Sequence, residues 1–482
     1  MSTHRKPLLR PLRGIAAALL AITLAFTPAS GHAQFSLGGS EEALGAQEHP
    51  KIVAQYGGEY RDAKVQDFVQ RIGLRLVQAA GATDQNWTFT VLDSDVVNAF
   101  ALPGGFVYIT RGLLALPKDE AEVAGVMAHE IGHVLARHSR QRMNRGAITS
   151  LLAAGLGAVL GSPEIAQALN LGGTALLAKY SRDQELESDR IGAELLSKAG
   201  YDPFAMATFL QTMLRYSQYE GLRKGKEAED GYDFFATHPP TGDRVERAAE
   251  LARRFPQGGA RPADTYAAAV NGMIYGDSPD NGFVRGQEFI HPKLGFRFTV
   301  PRGFSLLNGA DQVVAQGPGG VMMSFDAGPS QGVRDPAAYV TQVWGRQARL
   351  QGVRAFTVSG LPAATAVTQG ETEQGRVDVR LVAIRDGDAM YRFTFLSPPG
   401  ALNRYDQAFE QTAASFRRLA PGEAGRLQPR RIRVETVRPG QEVESFINRM
   451  PGEPYAEELF RIINDVPPGT PLQPGWTVKV IG

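Results

Sequence analysis

Between residues 129 and 133 the chain reads His129-Glu130-Ile131-Gly132-His133, and few five-residue patterns commit a polypeptide so firmly to one local structure. At about 100° per residue a helix returns the first and fifth positions to one face, roughly 6 Å apart. Two imidazoles placed there can hold one metal ion at about 2.0–2.1 Å, the donor type and distance that suit zinc. Glu130 lies beside them as a general base rather than a ligand, taking a proton from water as it attacks a peptide carbonyl. The spacing therefore predicts a helix with metallopeptidase chemistry on one face.

With 8 His and 50 Asp plus Glu among 482 residues, chance would supply only about 0.01 such patterns. The bland alternative is a charged helix face with two solvated histidines, and the flanks oppose it. Val123, Val126, Met127, Ile131, Val134 and Leu135 surround the motif, which makes the helix largely buried, and buried histidines need partners. Asp119 with Glu122 three residues on forms an N-terminal capping pair, and the helix is expected to run to about Gln141. His138, five residues past His133, would then be rotated about 140° away and be structural or exposed.

The length implies two to four domains, and 43% hydrophobic residues imply a folded chain. Arg5, Lys6, Arg10 and Arg13 precede an apolar run, Ile15 to Phe26, and then small residues up to Ala33. That order reads as a secretory leader over 1–33, a retained membrane anchor being the alternative. The leader holds four of the 51 basic residues and none of the acidic ones, so the mature chain has no basic excess to favour nucleic acid. Zero cysteines exclude disulfides, thiolate ligands and a cysteine nucleophile. Any zinc must be held by histidine and carboxylate.

A catalytic zinc takes three protein ligands and keeps a fourth position open, so a further ligand must come from elsewhere in the chain. The stronger candidate is Glu185, in Ser181-Arg182-Asp183-Gln184-Glu185-Leu186-Glu187-Ser188-Asp189, where Ser181 and Gln184 form a capping box at a helix start. Asp189, one turn beyond Glu185 on the same face, could accept the outer N–H of a ligating imidazole. Glu187 points about 160° away and is expected to be solvated. The other candidate is His238, in a Pro-rich loop, Thr237-His238-Pro239-Pro240.

His-Glu-x-x-His followed about 50 residues later by Glu-x-x-x-Asp-x-x-Gly resembles the HtpX/BepA-type zinc endopeptidase family, related to the CAAX prenyl endoproteases. The stretch Asn98 to Leu113 is similar to the hairpin that precedes that family's metal helix. The resemblance covers about 34–255. It implies a mainly helical zincin (gluzincin-type) domain with a small β-hairpin or sheet, one zinc on His129, His133 and Glu185, and Asp189 as support. It also brings His238 to the open side of the metal, either as a resting-state lock or as an oxyanion stabiliser, with Arg244 supporting the site. The hairpin could receive a substrate strand along its edge, or be an ordinary core hairpin.

Beyond 255 the composition changes. A linker is expected over 256–285, a small α+β module over 286–420 with no legible chemistry, and a strand–helix–helix–strand segment over 430–482 that resembles a LysM module. The expected class is thus an α+β multidomain protein. Apolar stretches at 147–161 and 165–177 read as lid or packing helices, with membrane-surface contact as the alternative. The resemblance implies a periplasmic endopeptidase acting on unfolded or misassembled envelope polypeptides, with peptidoglycan and outer-membrane assembly machinery as further partners. The rival reading is a zinc-containing, chaperone-like or cell-wall-associated assembly factor whose protease site is self-inhibited. A cell-wall hydrolase guided by the tail is a third.

Overall fold

The computed structural model describes residues 41–138, 180–223, 238, 242–310, 312–372, 375–450 and 452–482. The expected leader, the two apolar stretches at 147–161 and 165–177, and the His-Pro loop apart from His238 lie outside the described residues. Among those described, no helix is long and apolar enough to cross a membrane. The chain divides into two compact units, one formed by 35–163, 172–281 and 425–482, the other chiefly by 282–424.

The first unit opens with α1 (Glu41–Gln55) and α2 (Ala63–Ala80), followed by β1 (Thr88–Leu92), β2 (Ala99–Leu102) and β3 (Phe106–Thr110). Asp62 caps α2 and buried Val65, Phe68, Val69, Ile72 and Leu76 mark its apolar face. β3 lies centrally, parallel to β1 and antiparallel to β2, which leaves β2 at the edge. The β2–β3 turn uses Gly104 and Gly105 at φ 82° and 86°, a left-handed region that disfavours side chains. Helices α3 (Glu120–Leu135), α4 (Arg182–Lys198), α5 (Phe204–Arg223), α6 (Gly242–Ala252) and α7 (Ala263–Val270) follow, then the short strand β4 (Ile274–Tyr275).

The stretch 256–285, expected to link, instead feeds this unit's core: Tyr266, Ala269, Val270 and Met273 are buried in it. Arg261 reaches Asp119 and Glu122 at the start of α3, at 2.8 and 3.0 Å. What reads in sequence as a Pro/Gly break is a turn between packed elements, because two prolines and two glycines interrupt a helix whether or not the flanks are buried.

The second unit is antiparallel. Strands β5 (Phe283–Arg285), β6 (Glu288–His291), β7 (Phe296–Thr299) and β15 (Arg417–Arg418) form one sheet in the order β15-β7-β6-β5. The other, ordered β11-β12-β13-β14-β10-β9-β8, comprises β8 (Ser305–Asn308), β9 (Val313–Gln316), β10 (Met322–Gly328), β11 (Gln351–Val358), β12 (Leu361–Thr372), β13 (Gly375–Asp386) and β14 (Ala389–Ser397). Phe296, Phe298, Phe325, Phe393, Phe395 and Phe416 interlock in its core beneath α8 (Leu402–Ala414). This unit mixes strands with few helices. Between β10 and β11 the chain forms a short helix, Pro336–Ala338, continued by a π-helical turn, Tyr339–Trp344.

The carboxy-terminal segment returns to the first unit. β16 (Arg430–Thr436) pairs with both β4 and β17 (Thr477–Ile481), and α9 (Ala456–Ile463) lies between β16 and β17 in sequence. The strand–helix–helix–strand order is present, but its apolar side is not closed on itself. Phe446, Leu459, Phe460, Ile462 and Ile463 belong to the same core as α2 and α3. Lys479 is buried with its ammonium donating to the carbonyls of Ala115 (2.7 Å), Leu116 (3.3 Å) and Pro117 and to Tyr266 Oη (2.8 Å). Asp465 is bound by Lys118 and Arg215, and Tyr219 donates to Glu453.

Truncation before Arg430 is therefore expected to yield insoluble or low-melting protein rather than an intact domain lacking a tail. Lys479→Met should cost about 1–3 kcal/mol in denaturant unfolding, since the buried carbonyls of Ala115, Leu116 and Pro117 lose their donor. Burial pushes the Lys479 pKa from 10.5 down to about 7, against the pull of Glu122 and Asp119. Between those values the unfolded chain binds a proton that the folded chain has released, so the Lys479 contribution should rise with pH from about 7 to about 10.5. Lys479→Met should lack that slope; equal pH profiles would show the amine keeps its proton throughout.

Candidate metal centre

The motif helix α3 begins where the sequence places it, Asp119 accepting a hydrogen bond from Glu122 N at 2.9 Å. Helix α4 carries the expected capping box, Ser181 Oγ accepting from Gln184 N and Gln184 Oε1 from Ser181 N. The two helices approach closely because of two glycines. A Cβ on Gly132 would sit 3.1 Å from Ser188 O, and one on Gly192 would sit 2.5 Å from Met206 Cε and 3.2 Å from His129 N. Met206 Cε could swing aside, but the contacts to Ser188 O and His129 N are tighter than an ordinary Cβ contact and would push the two backbones apart by a few tenths of an ångström. Glycine here therefore favours the close approach that brings Glu185 and Asp189 to the α3 histidines.

His129, His133, Glu185 and His238 are all buried and present donor atoms within 4.8 Å of one another. His129 Nε2 lies 3.0 Å from His133 Nε2 and 3.2 Å from His238 Nδ1. Glu185 Oε1 is 2.7 Å from His238 Nδ1 and 3.4 Å from His133 Nε2. Three imidazole nitrogens and a carboxylate directed at one point repel unless a proton or a cation stands among them. Tetrahedral ligands at about 2.05 Å from zinc lie about 3.3 Å apart, so the donor set fits that ion. His238 Nε2 faces Glu130 Oε1 at 3.5 Å, both side chains fully buried.

Charge is arranged to suit this cluster. His129 Nδ1 meets Asp189 Oδ1 at 2.9 Å, leaving Nε2 for the centre. Arg244 grips Asp189 through Nε and Nη2, both at 2.8 Å, and reaches Glu185 Oε2 through Nη1 at 2.8 Å. Burial works against the Asp189 carboxylate, but Arg244 and His129 outweigh it and hold its pKa at about 2. Burial likewise opposes charge on Glu185, yet His238, His129 and His133 hold it well below the usual carboxylate range. The His129 imidazolium is disfavoured by burial, but hydrogen bonds to Asp189 and Glu185 raise its pKa to about 9. Burial drives His133 the other way, well below its ordinary value. A bound cation takes the place of the proton on such a set.

Two expectations fail. The helix ends at Leu135 rather than near Gln141, and Arg137 adopts φ 56°. That left-handed residue turns the chain back, so His138 is buried against His133, their Nδ1 atoms 3.0 Å apart. The 100° arithmetic failed because His138 is not on the helix, and no Gly or Asn marks the turn. Glu187 is half exposed as expected, yet its Oε2 lies 3.2 Å from His138 Nε2. Tyr180 belongs to no motif in the sequence, yet its ring stacks on His133 with centroids 3.7 Å apart. Its place just before the cap residue of α4 was the available signal.

Residues 63–252 match the family described as Peptidase family M48. The chain is 34% identical over 208 residues to the beta-barrel assembly-enhancing protease of Escherichia coli K12, covering 40% of each chain. The protein of Vibrio cholerae named putative beta-barrel assembly-enhancing protease is 32% identical over 206 residues, again with 40% of each covered. Mitochondrial metalloendopeptidase OMA1 of Schizosaccharomyces pombe is 31% identical over 216 residues, 44% of this chain and 60% of that protein. The match thus spans less than half of the two bacterial relatives.

Replacing Arg244 with methionine leaves Asp189 and Glu185 buried without their guanidinium. The expected loss is about 3–5 kcal/mol in the unfolding free energy of chelator-treated protein. A loss below about 1 kcal/mol would mean that the carboxylates find other compensation.

Proposed function

We propose that this chain, whose residues 63–252 are a peptidase family M48 domain, is a zinc-dependent endopeptidase of the cell envelope. Its zinc would be held by His129, His133 and Glu185. The observation that carries the reading is the convergence of these donors with His238 in one buried cluster beside Glu130. When bound, zinc supplies a Lewis acid that polarises the scissile carbonyl. Asp189 accepts the Nδ1–H of His129 and fixes that ring's tautomer. Arg244 keeps Asp189 and Glu185 ionised in a buried setting. Glu130 takes the proton of the attacking water and returns it to the leaving amine.

His238 acts as a lock in this proposal. Its Nδ1 stands 2.7 Å from Glu185 and 3.2 Å from His129 Nε2, among the donors and where a nucleophile would have to enter. It must withdraw before a peptide can react. The substrates we propose are unfolded or misassembled envelope polypeptides, in the periplasm. Support comes from the leader-like amino terminus and from the name of the bacterial relatives.

Glu130→Gln should keep one zinc per chain by metal analysis while cutting hydrolysis of an unfolded protein by about 10²–10⁴-fold. Undiminished cleavage would exclude Glu130 as the base; an assembly factor without proteolysis predicts no cleavage by either form. His238→Ala should raise cleavage at unchanged zinc content. A fall of about 10²–10³-fold in kcat would instead assign it to oxyanion stabilisation.

A further inference from the structure

The two α3 histidines have different supports. His129 is served by Asp189 and Arg244, whereas His133 turns its outer nitrogen to another imidazole. Past Leu135 the left-handed Arg137 (φ 56°) lays His138 against that ring, Nδ1 to Nδ1 at 3.0 Å. His138 is 1% exposed. Its Nε2 lies 3.2 Å from Glu187 Oε2, on a side chain that is 51% exposed. Ser188 Oγ is 3.4 Å from His138 Nδ1. The Tyr180 ring lies over His133 at 21° between planes, which resists tilting of that imidazole.

We infer that His138, held by Glu187, is a positioning residue that accepts a hydrogen bond from His133 Nδ1–H and so keeps the His133 Nε2 lone pair directed at the metal. The inference rests on the reading of His133 as a ligand. The direction of the chain follows from its outer end. A carboxylate only accepts, so the His138 proton resides on Nε2, facing Glu187. That leaves His138 Nδ1 with a lone pair, able to accept from His133 Nδ1–H. The proton on His133 Nδ1 in turn frees Nε2, the atom 3.0 Å from His129 Nε2 inside the donor cluster. Ser188 Oγ, at 3.4 Å, is the more distant neighbour of that single lone pair, and the 3.0 Å contact from His133 takes it. Helix α4 therefore supports both ligating histidines: Asp189 serves His129 directly, and Glu187 serves His133 through His138.

The test is zinc affinity by competition with a chelator, together with the visible spectrum of the cobalt(II)-loaded protein and the melting temperature of the zinc-free protein. His138→Phe keeps the ring's bulk without an acceptor and should weaken zinc binding by about 10–100-fold and alter the cobalt spectrum. His138→Asn, whose amide oxygen falls near the place of Nδ1, should recover most of that loss. Glu187→Leu, at a half-exposed position, should weaken binding by about 10-fold with little change in zinc-free melting, and serves if His138→Phe does not fold. A merely structural role would lower melting and leave the affinity and spectrum of the folded protein unchanged. Wild-type affinity in His138→Phe and Glu187→Leu would overturn this inference alone. Failure of the wild type to bind zinc would overturn the metal reading, and this inference with it.

Discussion

The Arg244 guanidinium is the interaction on which the rest of the centre depends. Glu130, Glu185 and Asp189 are all buried around three buried imidazoles, an assembly of acceptors that could not leave water without a cation. Arg244 meets two of the three carboxylates directly, and its planar fork does so from one side chain: two nitrogens to Asp189, the third to Glu185. Lysine, with a single ammonium, could not span that geometry. The same contacts fix α6 against α4.

Helix α3 is positioned from its other end by residues far along the sequence. The carbonyls of Ala115, Leu116 and Pro117, just before the Asp119 cap, are gathered by Lys479. Arg261 ties Asp119 and Glu122 together from a stretch that reads as a linker. The first turn of α3 thus rests on the last strand of the chain, and 63–252, the residues that match the family, do not contain the whole of their own core. Residues 282–424 interrupt this unit in sequence with a separate Phe-rich core, and both ends of that insertion join elements of the first unit.

Much of the site is legible in sequence because it is built from helix starts and helix spacing. Asp119 and Ser181 announce their helices, and the intervals 129 to 133 and 185 to 189 put the paired side chains on common faces; all of this follows from a 3.6-residue period and local hydrogen bonds. His138 shows the limit. Its approach to His133 depends on a left-handed residue that is arginine, a choice made by the packing around it rather than by its own preference.

By itself the sequence determined the donor types, the helical spacing that pairs them, the absence of thiolate ligands and the alternation of elements along the chain. These depend on side-chain chemistry and on interactions among near neighbours. Only the tertiary structure decided that the carboxy-terminal segment is part of the first unit's core, that Arg261 and Lys479 support the start of α3, and that Glu187 reaches His138 and His138 reaches His133. All but the last of those contacts join residues from about 50 to more than 360 positions apart, and no local periodicity carries them. They exist because apolar faces must be covered and buried charges must find partners wherever the folded chain brings them.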